Sequence, residues 1–141
     1  MNFIFLGAGY CSRFVIPLLP DNFKIICTHN ETLKEWDQDY KYNIKRVTFK
    51  NFSKNFGSYL KKKSFILNSI PPDSKGDIVI NKLKQKLIDY KKNIEWYGYF
   101  SSTSVYGNHD GGWVEETTKL NPTSFRGHRR KHAEEDHVDL Y

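Results

Sequence analysis

Short apolar runs alternate with amphipathic segments along the whole chain. Five β-strands are predicted, by apolar runs at residues 3–6, 23–27 and 64–68, by an alternating stretch at 44–49 and by residues 95–101. Helical spacing or helix-like composition predicts helices over 12–19, 31–36, 51–60, from 77 onward and 127–140. Strands that are apolar on both faces and alternate with helices are typical of a parallel sheet covered on both sides. We therefore predict one α/β domain over residues 1–141, with about five parallel strands in a doubly wound arrangement.

Two residues weaken the predicted helices. Pro17 lacks a backbone N–H, so it should restrict the helix over 12–19 to its first turn or kink it. Gly57 lies inside the helix predicted over 51–60 and lowers its helix propensity.

A glycine-containing turn follows the first predicted strand and opens a helix. It reads Gly7-Ala8-Gly9-Tyr10-Cys11-Ser12 and resembles the G-x-G-x-x-G pattern, with Ser12 in place of the third glycine. The first glycine permits the tight turn, and the second lets the backbone approach a pyrophosphate. The alternative is an ordinary strand-to-helix turn, but the strand–turn–helix context favours a dinucleotide site.

The end of the second predicted strand bears on the choice of dinucleotide. An Asp or Glu there binds the ribose hydroxyls of NAD, whereas this chain has Thr28-His29-Asn30 before the first acid, Glu31. Nothing in Thr28-His29-Asn30 repels a 2′-phosphate, and His29 can assist one. NADP is therefore slightly favoured, while Glu31 keeps NAD open.

The later part of the chain carries a more specific pattern. Ser101-Ser102-Thr103-Ser104-Val105-Tyr106-Gly107 is followed by Trp113-Val114-Glu115-Glu116, Pro122, Arg126-Gly127 and Ala133-Glu134. Together with the glycine turn, these residues resemble the extended short-chain dehydrogenase/reductases, the NAD-dependent epimerase/dehydratase family, in its atypical form. The resemblance implies a Rossmann-like fold and hydride transfer on a sugar-like or small carbonyl substrate.

The resemblance also implies site residues. Three groups of residues would bind the cofactor. The turn would contribute Gly7, Gly9, Tyr10, Cys11 and Ser12. Thr28 and His29 would lie near the adenosine ribose, and Ser69, Ile70 and Pro71 beside the adenine. Ser102 would orient the reacting oxygen. The family's Tyr-x-x-x-Lys pair corresponds to Arg126 and Arg130, and arginine stays protonated, so it cannot serve as the base. These two residues would clamp a carboxylate or phosphate, or lie on a solvated or partner-facing surface.

Members of the resembled family are about twice as long, so we expect a truncated member that lacks the C-terminal part of the fold. The open sheet edge would need a partner or a second copy to cover it. The function predicted is that of an NAD(P)-binding protein of the epimerase/dehydratase type. The alternatives are a dinucleotide-binding or sensor module without catalysis and a non-functional fragment, and whether the chain is an enzyme stays open.

Composition excludes several classes of protein. The 22 Lys and Arg exceed the 16 Asp and Glu by six, but they recur along the chain, which favours solvated faces over a nucleic-acid-binding stripe. No apolar run approaches the roughly 20 residues of a membrane span. The N-terminus lacks a basic leader, so we expect a cytoplasmic protein with Cys11 and Cys27 as buried, reduced thiols.

Three histidines near the C-terminus raise the question of a metal site. His128 and His132 are spaced i, i+4, and His137 follows. Arg129, Arg130 and Lys131 lie between the first two and repel a cation, and no carboxylate or cysteine completes a tetrahedral set. We therefore expect no metal.

Overall fold

Five parallel strands form the centre of the protein, as the apolar runs predict. The computed structural model describes residues 1–30 and 41–140. Within them, the strands are β1 (Asn2–Leu6), β2 (Lys24–His29), β3 (Lys45–Thr48), β4 (Ser64–Asn68) and β5 (Ile94–Tyr99). The strand order is β3-β2-β1-β4-β5, and every pair is parallel. The helix predicted over 31–36 and the candidate acid Glu31 lie outside the described residues.

Five α-helices accompany the strands. They are α1 (Ser12–Val15), α2 (Phe49–Lys54), α3 (Phe56–Tyr59), α4 (Ile78–Asp89) and α5 (Phe125–Val138). Short 3₁₀ segments occupy Ile16–Leu18, Lys91–Asn93 and Thr103–Val105. The helix expected over 12–19 is thus a single α-helical turn continued by a 3₁₀ turn that contains Pro17, in agreement with the restriction that proline imposes.

Two helix boundaries differ from the sequence prediction, and capping residues explain both. The helix expected over 51–60 begins at Phe49, because Thr48 Oγ1 accepts a hydrogen bond from the Asn51 N–H at 3.1 Å. It is interrupted by Asn55, whose backbone leaves the helical region (φ −106°, ψ 25°). The helix expected from 127 begins at Phe125, because Ser124 Oγ accepts from the Gly127 N–H at 3.1 Å.

The sheet buries apolar side chains on both faces, as a doubly wound arrangement requires. On one face, Ile4, Leu6 and Ile66 pack beneath α2, α3 and α4. On the other, Phe3, Phe5, Ile25, Cys27 and Leu67 pack against Ile16 from the segment that follows α1. Successive residues of β1 therefore alternate between the two cores, as strand geometry dictates.

The chain reverses its direction of winding at β1. This strand pairs with β2 on one side and with β4 on the other, so the carboxyl ends of these strands border a crevice at a topological switch point. Ligands of open parallel sheets bind at such crevices. At the far edge, among the described elements, β5 pairs with β4 alone.

No helix in the described part of the chain is long and apolar enough to cross a bilayer.

Candidate functional site

The turn after β1 needs a glycine at its first position, Gly7. Gly7 has a φ of +80°, in the left-handed region, and a Cβ built there would lie 2.5 Å from Ile70 Cγ1. The end of β2 holds the turn in place: the Gly7 N–H donates to Thr28 Oγ1, and the Ala8 N–H donates to the Thr28 carbonyl, both at 2.9 Å. A short hydrogen bond from Ser69 Oγ to the Gly7 carbonyl attaches the turn to the end of β4.

The second glycine is held differently. Gly9 is exposed, and a Cβ built on it would meet only the Gly7 carbonyl oxygen, at 3.9 Å. Packing would therefore allow a side chain at this position, and the Gly9 backbone is open to a ligand. Ser12, in the third position of the motif, is buried and donates from Oγ to the Gly9 carbonyl at 2.6 Å. The serine thus closes the turn where the usual motif has a glycine.

A groove of about 600 Å³ lies over this turn, and it brings most of the predicted cofactor residues together. Its lining includes Gly7, Gly9, Tyr10, Thr28, His29, Ser69, Ile70 and Pro71. Two predicted residues do not line it. Ser12 lies beneath the turn, and Cys11 is exposed outside the groove, whereas the sequence analysis expected a buried thiol. Cys27 is buried, as expected.

Sequence reasoning missed five residues of the same groove: Ala8, Arg13, Asn30, Arg46 and Phe49. Arg46 enters through strand pairing, because β3 lies beside β2 and Arg46 is opposite Cys27 in the register. Phe49 is the first residue of α2, directly after β3. The rule that ligands lie at the carboxyl ends of neighbouring strands gives a signal for β3, but the strand order is needed to apply it.

Ser102 lies shortly after β5, which ends at Tyr99, and it caps the 3₁₀ segment Thr103–Val105. Its hydroxyl is exposed and accepts hydrogen bonds from the Ser104 N–H at 3.3 Å and the Ser104 hydroxyl at 3.0 Å. Helix α5 packs directly on this segment, since a Cβ on Gly127 would lie 2.4 Å from the Ser104 carbonyl oxygen. The fold therefore brings the first turn of α5, with Arg126, beside the segment that carries Ser102.

Arg126 and Arg130, which the sequence analysis aligned with the resembled family's Tyr-x-x-x-Lys pair, have different surroundings. Arg126 is exposed in the first turn of α5. Arg130 turns toward the end of β5, where Nη1 donates to Tyr99 Oη at 3.0 Å and to the Phe100 carbonyl at 2.7 Å. Burial raises the pKa of Tyr99, and the Arg130 guanidinium opposes that rise. Arg130 thus connects α5 to β5.

A buried polar network lies behind Arg130. His137 Nε2 lies 3.2 Å from Asp77 Oδ2 and 3.2 Å from Asn68 Nδ2, while Nδ1 lies 3.1 Å from Tyr97 Oη. Asp77 also caps α4, since its Oδ1 accepts from the N–H of Val79 at 2.7 Å. The network joins α5 to β4, β5 and the start of α4. Sequence reasoning treated His137 only as a metal candidate and missed this role.

The other histidines of α5 stand apart from this network. His128 and His132 are exposed. The described residues contain no group of three His, Cys, Asp or Glu side chains that could hold a metal ion.

Several solved structures share this architecture. A functionally unknown conserved protein from Silicibacter pomeroyi is 31% identical, with a TM-score of 0.80 over 99% of this chain and 49% of that one. A dTDP-glucose 4,6-dehydratase from Bacillus anthracis, in complex with NAD, is 20% identical, with a TM-score of 0.77 over 100% and 50% of the two chains. A UDP-Glc/GlcNAc 4-epimerase from Campylobacter jejuni is 16% identical, with a TM-score of 0.76 over 99% and 48%.

No protein-family model matches the sequence, and no curated protein matches it. The chain spans about half the length of the solved structures it matches. The predicted Rossmann-like fold is confirmed: this chain has the architecture of the N-terminal half of NAD-dependent epimerase and dehydratase structures.

Proposed function

We propose that the groove over the Gly7–Gly9 turn binds a nicotinamide dinucleotide. The observation that carries this proposal is the contrast between the two glycines. Gly7 is required by its φ of +80° and by Ile70, whereas nothing in the packing requires Gly9. Gly9 lies at an exposed turn between a strand and a helix, and packing does not explain why it is a glycine. Close approach of the backbone to a pyrophosphate would explain it.

The remaining lining residues fit the adenosine half of the same ligand. Thr28 and His29 would contact the ribose, and Ser69 to Pro71 the adenine. Arg13 and Arg46 line the groove, and no carboxylate does among the described residues. Guanidinium groups bind phosphate in a bidentate manner, so NADP is the preferred form in this proposal.

For the whole protein we propose the chemistry of the resembled family. A bound nicotinamide supplies hydride transfer, and Ser102 would orient the reacting oxygen of the substrate. The named relatives act on dTDP-glucose and on UDP-Glc/GlcNAc, which suggests a sugar-like carbonyl substrate. Neither Arg126 nor Arg130 can accept the proton, because a guanidinium stays protonated. In this proposal they bind an anionic group of the substrate or position the segment around Ser102.

A second candidate is a dinucleotide-binding module without catalysis. The contacts of Arg130 favour it, because this side chain donates to Tyr99 and Phe100 at the end of β5. A residue that holds α5 against the sheet has a structural role that does not depend on turnover. The two candidates differ in one observable: an enzyme turns over at least one carbonyl substrate, whereas a module binds the dinucleotide and turns over none.

The test is a thermal melt of the full chain with NAD, NADH, NADP and NADPH. A ligand at 100 times its dissociation constant stabilises the folded state by about 2.7 kcal/mol, which shifts the midpoint measurably. We expect the larger shift with the NADP pair. Gly9→Val should abolish the shift and change the ligand-free midpoint far less than Gly7→Val, since a Cβ on Gly9 meets only the Gly7 carbonyl oxygen, at 3.9 Å. A cooperative melt that no dinucleotide moves would refute the site.

A further inference from the structure

Although basic residues recur along the whole sequence, their excess over acidic residues is largest in residues 41–92. Residues 41–92, all of which the structure describes, contain 14 Lys and Arg but three Asp and no Glu, a net charge of +11. The rest of the chain is therefore net acidic, since the total charge is +6. Residues 41–92 include α2, α3 and α4, the helices that cover one face of the sheet. Such a one-sided distribution attracts anions to that face.

A second groove, of about 770 Å³, opens among these helices. Three lysines line it: Lys50 and Lys54 from α2, and Lys82 from α4. Phe49 and Ile78 supply apolar surface between them. Ligand pockets commonly have this composition, with an apolar lining and a few charged groups that fix the ligand.

The described lining residues include no carboxylate to neutralise these lysines. Asp77, which precedes Ile78, is buried, and its oxygens contact the N–H groups of Val79 and Ile80 and the ring of His137. Lys63 forms an ion pair with Glu95, but both residues lie outside the groove. Within residues 1–30 and 41–140, no carboxylate lines the groove beside these three exposed lysines.

We propose that this lysine groove is a second ligand site, which binds an organic phosphate whose phosphate is attached to an aromatic or apolar group. Lysine ammonium groups bind phosphate as point charges, and Phe49 and Ile78 would receive the apolar part. The groove is separate from the glycine turn but adjoins the dinucleotide groove, because His29 and Phe49 line both. The proposal does not depend on dinucleotide binding.

The test uses the ¹⁵N-labelled full chain and phenyl phosphate, the smallest ligand with both features. Inorganic phosphate and phenol serve as probes that lack the ring and the charge. We expect saturable amide shifts at the first residues of α2 and α4, with inorganic phosphate and phenol each binding at least about tenfold more weakly. Equal binding of inorganic phosphate would overturn the proposal, because it would indicate a counterion effect of the lysines. Saturation at the Gly7–Gly9 turn instead would also overturn it.

Charge reversal locates the site. The K54E/K82E variant should weaken phenyl phosphate binding about tenfold or more, since each reversal changes the facing charge by two units. K61E/K84E makes the same change in total charge at exposed lysines outside the groove, and it should alter the affinity less than about twofold. Equal losses in both double variants would refute a specific site. Gly9→Val should retain phenyl phosphate binding, which separates this proposal from that for the dinucleotide.

Discussion

Gly7→Ala tests directly whether the first glycine of the cofactor turn has a structural role. An alanine Cβ would lie 2.5 Å from Ile70 Cγ1, 3.2 Å from the Ile70 nitrogen and 3.3 Å from its Cα, on a residue with a φ of +80°. Two separate penalties follow. The left-handed backbone is unfavourable for any side chain, and the start of the loop after β4 must move away from the turn.

The two penalties have known sizes. A left-handed conformation costs about 1–2 kcal/mol for a residue with a Cβ. Inserting a methyl group into a closely packed contact costs about 1–3 kcal/mol. We therefore expect Gly7→Ala to lower the free energy of unfolding by about 2–5 kcal/mol. Gly9→Ala should stay within about 0.5 kcal/mol of the wild type, because its Cβ has space and its φ is ordinary.

Urea denaturation followed by far-UV circular dichroism measures the difference. With an m-value of about 2 kcal/mol per molar urea, the midpoint of Gly7→Ala should fall by about 1–2.5 M. Adding Ile70→Ala to Gly7→Ala should restore part of the loss, because it removes the side chain that collides and leaves the backbone penalty. Equal midpoints for Gly7→Ala and Gly9→Ala would refute the distinction between a structural and a ligand-facing glycine.

Two further predictions concern the contacts of α5. Because burial raises the pKa of Tyr99 above 10.0, the folded state keeps a proton that the unfolded chain loses, so stability should fall as pH rises above about 10. Tyr99→Phe should reduce that alkaline loss in urea titrations at pH 9 to 11, and an unchanged loss would contradict the assignment. His137→Ala leaves Asp77 Oδ2 buried without its partner and should cost about 3 kcal/mol. Asp77→Asn should reduce the effect of His137→Ala in a double-mutant cycle, and strict additivity would contradict a coupled pair.

The strands and the glycine turn could be predicted from the sequence because their signals are local. β4 occupies Ser64–Asn68, the range that its apolar run predicts. The turn lies between β1 and α1, as its spacing implies. The helix boundaries were less accurate, because Thr48 and Ser124 begin helices through side-chain hydrogen bonds that a hydrophobic pattern does not contain.

The rest of the candidate site depends on which elements become neighbours. Arg46 lines the groove because β3 pairs with β2, and His137 is buried because α5 packs over β4 and β5. Both are polar residues, and hydrophobic periodicity does not reveal which polar residues line a groove or become buried. The contact of Arg130 with Tyr99 likewise joins positions 31 residues apart. Such contacts depend on the order of the strands and the packing of the helices, and local sequence patterns do not determine these.

The brevity of α1 affects the dynamics of the cofactor turn. Four residues are too few for a helix to persist by its own hydrogen bonds, so α1 depends on tertiary contacts such as the Ser12–Gly9 hydrogen bond and the burial of Ile16. The amide protons of α1 should therefore exchange with solvent through local opening, while those of β1 exchange only when the whole sheet unfolds. A ligand bound at the turn would have to order this segment, and part of its binding free energy would appear as slower hydrogen exchange at residues 10–15.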